Sequence, residues 1–104
     1  MIDKQKVAEA IYKAIDEVNQ QLPQDRRLPQ SPDTVLAGPA ASLDSLGLVN
    51  LIVVTEEMIE EEFDQLINIA DQKAMSQENS PFRTVGTLTE YIASLLQETA
   101  DVAL

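Results

Sequence analysis

The chain contains no cysteine, no histidine and no tryptophan, and only two tyrosines and two phenylalanines. Without cysteine there can be neither a disulfide nor a thiolate metal ligand. Without histidine the usual general base near neutral pH and the commonest metal ligand are both missing. Most hydrolase and zinc-site chemistry is thereby excluded. Carboxylates and hydroxyls are what remain for catalysis, and the chain is not expected to be an enzyme or to hold a metal. The scarcity of aromatics rests the core on Leu, Ile, Val and Ala, which suits packed helices better than a sandwich. A length of 104 residues fits one domain, 1–104, with a single modest core.

Long apolar runs are also lacking. Nothing approaches a membrane-spanning helix, and no apolar stretch follows Met1-Ile2-Asp3-Lys4-Gln5-Lys6, so no secretory signal is expected. The expected location is the cytoplasm. Basic residues are few: 7 against 18 acidic ones, a net charge of −11. That balance disfavours nucleic acid and anionic membranes as partners, because both would be repelled. It favours basic protein surfaces, attracted from a distance. The protein is expected to be a monomer.

What is present reads as helices joined by loops. From about Asp3 to Leu22, Val7, Ile11, Ile15, Val18 and Leu22 recur at steps of three and four, the signature of an amphipathic helix that Pro23 ends. Pro23, Pro29, Pro32, Gly38 and Pro39 exclude a regular helix as far as about Leu43. So long a loop needs a reason, and Val35 and Leu36 are expected to pin it to the core. A second helix is predicted from Ser45 to Phe63. Leu48, Ile52, Ile59 and Phe63 lie on one side, widened by Val49, Leu51 and Met58, while Glu57, Glu60, Glu61 and Asp64 project largely elsewhere. Asp64 to Ile69 reads as a connector, Ala70 to about Gln77 as a short helix, and Gln77 to Pro81 as a polar loop. The last helix includes Leu88, Tyr91, Ile92, Leu95 and Leu96, with either Thr84 or the pair Thr87 and Glu90 at its start. Residues from about 99 to 104 are expected to fray.

Asp44 and Ser45 both suit a helix start, and capping is the simplest reading of them. Ser45 has no neighbouring base to deprotonate it, so it does not read as a catalytic nucleophile. A negative charge placed on it would sit at the positive end of a helix, beside amides without partners. Downstream, no Lys or Arg occurs between Arg27 and Lys73, whereas Asp44, Glu56, Glu57, Glu60, Glu61, Glu62, Asp64 and Asp71 do. A solvated face normally mixes signs, because opposite charges four residues apart stabilise a helix and like charges repel. One sign over this span points to a basic partner.

Leu43-Asp44-Ser45-Leu46, continuing through Val49 and Leu51-Ile52 to the acidic run ending in Phe63, and resuming at Thr84-Val85-Gly86 and Tyr91-Ile92, resembles the acyl carrier protein family over nearly the whole chain. The resemblance implies a small all-α four-helix bundle with three principal helices and a short third one. It implies 4′-phosphopantetheine attached covalently to Ser45, carrying an acyl group as a thioester. Asp44 and Leu46 would shape recognition by a phosphopantetheinyl transferase. Val53, Glu56, Glu57, Glu60 and Glu61 would meet acyl-loading and acyl-using enzymes with basic docking surfaces. For Val53 a plain core position is an equal reading. An aminoacyl or peptidyl carrier, or an acidic helical interaction module that is never modified, are the alternatives.

Three features depart from the family pattern. Ser45 and Phe63 are 63 − 45 = 18 positions apart, about one helical turn more than usual, and the connection from Phe63 to Thr84 is long. Gly47 and Asn50 stand where fatty-acid carriers are often acidic. These differences favour a specialised fatty-acid, polyketide or related pathway.

Overall fold

A computed structural model of the chain describes residues 2–36, 43–65, 67, 69 and 82–102, with backbone alone for Ser45 and residues 99–102. Three α-helices account for most of them: α1 (Lys4–Asn19), α2 (Ser45–Phe63) and α3 (Val85–Val102). There is no strand among the described residues, so the chain is a small helical bundle. The short helix expected from Ala70 to about Gln77 lies outside the described residues.

α1 begins where Asp3, in extended conformation, accepts the Gln5 amide with its carboxylate. Its periodic residues Val7, Ile11, Ile15 and Val18 are buried, joined by Ala10 and Ala14. The small alanines let neighbouring backbone approach closely, and α1 packs on both α2 and α3. The helix stops at Asn19, three residues before the predicted end, and Leu22 is only partly buried. Asn19 itself makes the stop. Its side-chain amide donates to the Leu28 carbonyl (3.0 Å) and accepts from the Leu28 amide (2.8 Å), pairing with the loop as a strand would. Arg27 Nε donates to the Asn19 carbonyl at the helix end. We expect Asn19→Ala to cost about 1–3 kcal/mol, since it leaves both polar groups of the buried Leu28 without a partner. Urea denaturation checks this, and Asn19→Asp, whose carboxylate would face the Leu28 carbonyl with no proton to donate, should not restore the stability.

The Pro-rich connection contains one turn of 3-10 helix, Gln24–Arg26, and is otherwise irregular. It is pinned as expected: Leu36 is fully buried. Val35 is half-buried and forms an antiparallel bridge with Thr84. Around that bridge the Leu36 amide donates to the Arg83 carbonyl (2.8 Å), the Val85 amide to Thr34 (3.0 Å) and the Gly86 amide to Pro32 (2.8 Å). The loop thus takes up donors of α3 that no helical carbonyl can reach. Glycine at 86 permits this, because a Cβ would stand 3.1 Å from the Pro32 carbonyl oxygen.

The two candidate starts of α3 resolve into one device. Thr84 accepts the Thr87 amide (3.1 Å), and Thr87 accepts the Thr84 amide (3.0 Å) through their hydroxyls. This is a capping box with threonine in the place of the usual Glu or Gln. Glu90 takes no part in it and pairs with Lys4 Nζ at 2.7 Å. Leu88, Ile92 and Leu96 are buried, Tyr91 and Leu95 partly so, and the helix runs to Val102. Phe82, which the sequence did not single out, is buried edge-on against Tyr91.

Candidate functional site

The N-terminus of α2 is built by Asp44. Its extended backbone turns the carboxylate back onto the helix, where Oδ1 accepts the Gly47 amide at 2.7 Å. Its carbonyl accepts the Leu48 amide at 2.9 Å. Capping therefore falls to Asp44, and Ser45 is the first helical residue. By helix geometry the amides of Ser45 and Leu46 have no acceptor within α2 and face the open end. Leu46 is 78% exposed. Beside it a cleft of about 410 Å³ lies between the end of α1 and the start of α2, lined in part by Leu22, Asp44, Leu46, Gly47 and Asn50.

Gly47 has a role beyond lacking charge. A Cβ there would stand 3.1 Å from Asp44 Oδ1 and 3.2 Å from Leu43 Cδ2, tighter than ordinary contact. The glycine leaves room for the cap, and the helix propensity forgone by it, about 1 kcal/mol, is offset by that contact. Gly47→Asp should accordingly lower the melting temperature, through crowding and through a second carboxylate facing Asp44. Asn50→Glu, at a half-buried position one turn on, should leave it within about 0.5 kcal/mol of wild type. Thermal unfolding of the two single variants separates packing from charge.

Beyond the first turn, α2 divides cleanly. Leu51, Ile52, Thr55 and Ile59 are buried, and Thr55 satisfies its hydroxyl by donating to the Leu51 carbonyl at 2.7 Å. Leu48, Met58 and Phe63 flank them half-buried. Val49, placed by its spacing in the core stripe, is instead 48% exposed, because the core lies toward α1 and Val49 falls on the far edge of that arc. Val53, equally readable as core or contact, is 47% exposed. Glu57, Glu60 and Glu61 are exposed with them.

Glu56 departs from the other carboxylates of the helix. It is half-buried, and its Oε2 accepts the Ile69 amide at 2.7 Å, holding the chain after α2 where Ile67 and Ile69 are buried. Its hydrogen-bonding capacity is partly committed to the fold, which makes it a poorer docking group than Glu57, Glu60 or Glu61. The helix ends at Asp64, whose left-handed backbone (φ 54°) returns its amide to the Glu60 carbonyl at 2.8 Å. Among the described residues the one salt bridge joins Lys4 and Glu90, so no described cation neutralises α2. No group of described residues could hold a metal ion, and no described helix is long and apolar enough to cross a membrane.

Comparison of the chain with protein-family models, with curated proteins and with solved structures gave no match.

Proposed function

We propose that the protein is a carrier of the acyl carrier type, bearing 4′-phosphopantetheine on Ser45 and passing an acyl group between cytoplasmic enzymes that dock on α2. The observation that carries this reading is the division of labour at the start of α2. Asp44 caps the helix, and a serine stands beside it at the first helical position. The residues present fit the group. A phosphodiester at Ser45 would face amides that have no helical acceptor and the positive end of a helix of 19 residues. The exposed Leu46 and the adjoining cleft leave room for the arm among the described residues. When bound, the group supplies a thiol on which the cargo is held as a thioester.

The chain's own residues supply the rest. Asp44 fixes the helix start that a phosphopantetheinyl transferase must read, and Leu46 offers it an apolar contact. Glu57, Glu60 and Glu61, exposed and in no salt bridge with a described residue, attract enzymes with basic docking surfaces. The four-helix arrangement of carriers belongs to this reading, with a short helix between Phe63 and Phe82. Neutral residues at 47 and 50 fit a dedicated rather than a general fatty-acid pathway, since a basic pocket built for carboxylates would find none there. The test is the intact mass of the protein coexpressed with a phosphopantetheinyl transferase. A gain of one phosphopantetheinyl group is expected. An unchanged mass with several transferases of different specificity overturns the reading in favour of an unmodified interaction module.

A further inference from the structure

The cleft of about 410 Å³ at the head of α2 carries one neutral carboxamide on each wall. Gln21 stands in the turn that closes α1, and Asn50 on the second turn of α2. Among the described residues no side-chain hydrogen bond engages either group. The rest of the described lining is aliphatic, from Val18, Leu22 and Leu46, or bare backbone at Gly47. It includes no base, and its one acid, Asp44, accepts the Gly47 amide. Both walls are held by the fold. The Gln21 and Leu22 amides donate to the Val18 and Asn19 carbonyls (3.0 and 3.1 Å), and Arg27 Nε reaches the Leu22 carbonyl at 3.4 Å. The cap at Asp44 fixes the opposite wall. The cleft is thus preformed, with the size of a small-ligand pocket.

We propose that this cleft between α1 and α2 is a resting site for the middle of the phosphopantetheine arm, with Gln21 and Asn50 clamping its amide groups. The inference rests on the carrier reading and adds where the arm lies when no enzyme holds it. Beyond its phosphate the arm is a neutral chain of amides, a hydroxyl and methyl groups. A carboxamide offers a donor and an acceptor together, which is what the two edges of such an amide need. This fold already makes that pairing once, where Asn19 donates to the Leu28 carbonyl and accepts the Leu28 amide. Val18, Leu22 and Leu46 suit the methyl-bearing part. Other occupants fit worse. An anion would meet Asp44 and no base, and a plain hydrocarbon would leave both carboxamides without partners. Position decides the rest: Ser45 lies between two lining residues, Asp44 and Leu46. A chain tethered there meets the cleft at an effective concentration of about millimolar, so contacts too weak to hold a free ligand suffice.

The test loads the full-length protein with phosphopantetheine labelled at its amide nitrogens and establishes loading by intact mass before NMR spectra are recorded. The arm amides should exchange with water about fivefold more slowly than those of free pantetheine. Their protons should show nuclear Overhauser contacts to the Val18 and Leu22 methyls on the wall away from the attachment point. Gln21→Ala/Asn50→Ala should return exchange to the free rate. These substitutions leave the net charge at −11, so any slowing due to repulsion of hydroxide would survive them. Gln21→Ala alone, at an exposed position that leaves the packing intact, should restore part of the rate. A loaded arm that exchanges at the free rate, contacts Leu88 or Ile92 of α3 instead, or stays protected in the double variant would overturn this inference and leave the carrier reading standing. Failure to load with any of several transferases would overturn both.

Discussion

Ser45→Ala will keep the protein at its unmodified mass in the presence of a transferase that loads the wild type completely, and will do so without loss of structure. The stability change should stay within about 0.5 kcal/mol, because the cap beside it is untouched. Asp44→Ala should give the converse result. Removing the carboxylate that accepts the Gly47 amide costs about 0.5–2 kcal/mol and frays the first turn, yet Ser45 remains and loading proceeds more slowly. Asp44→Asn retains a capping oxygen and isolates the charge. If it loads like wild type, the transferase reads the shape of the helix start; if it loads like Asp44→Ala, it reads the carboxylate. Intact-mass time courses and melting curves on the same samples resolve all three. Loading that persists in Ser45→Ala would place the attachment site elsewhere.

Leu36→Ala should be among the most damaging substitutions outside the helices. Truncating a fully buried leucine costs about 2–5 kcal/mol. Domains of this size are stable by only about 5–15 kcal/mol. At about 4–8 °C per kcal/mol, the melting temperature should fall by at least about 8 °C. Leu46→Ala is the matched control: the same chemistry at a 78% exposed position should change stability by less than about 0.5 kcal/mol. A small effect at Leu36 would mean that the loop is held by its backbone bonds to Arg83 and Val85 rather than by this anchor. Calorimetry decides between them.

The elements that repeat a local signal were legible in the sequence. α2 runs from Ser45 to Phe63 as its apolar spacing predicts, and of the residues its spacing selects α1 buries Val7, Ile11, Ile15 and Val18 but not Leu22. What was not legible depends on partners far along the chain. Nothing local distinguishes Val49 from Leu48, and only the direction of α1 turns one inward and leaves the other out. Glu56 and Glu57 are the same residue type on the same helix, yet one accepts a backbone amide 13 residues away. Asn19 reads as an ordinary polar position until Leu28 is brought against it. At the candidate site, the motif Leu43-Asp44-Ser45-Leu46 named two capping residues without saying which one caps. The tight space at Gly47 had no signal in residue type, because the sequence shows only that a charge is missing there.

The bridge between Val35 and Thr84 bears on how the protein folds. It joins positions about 50 residues apart, and the start of α3 finds its acceptors at Pro32 and Thr34 rather than in its own helix. The segment that supplies these acceptors, residues 23–36, has almost no helix of its own and gives up its conformational freedom on docking. The prolines reduce that loss in advance: each fixes one backbone angle in the unfolded chain, so fewer states remain to be given up. The composition that makes residues 23–36 read as a linker is therefore what lets them act as a clasp. Replacing Pro29 with alanine would raise the entropy of the denatured ensemble while leaving the Thr34 and Pro32 acceptors in place, so its effect belongs to the unfolded state.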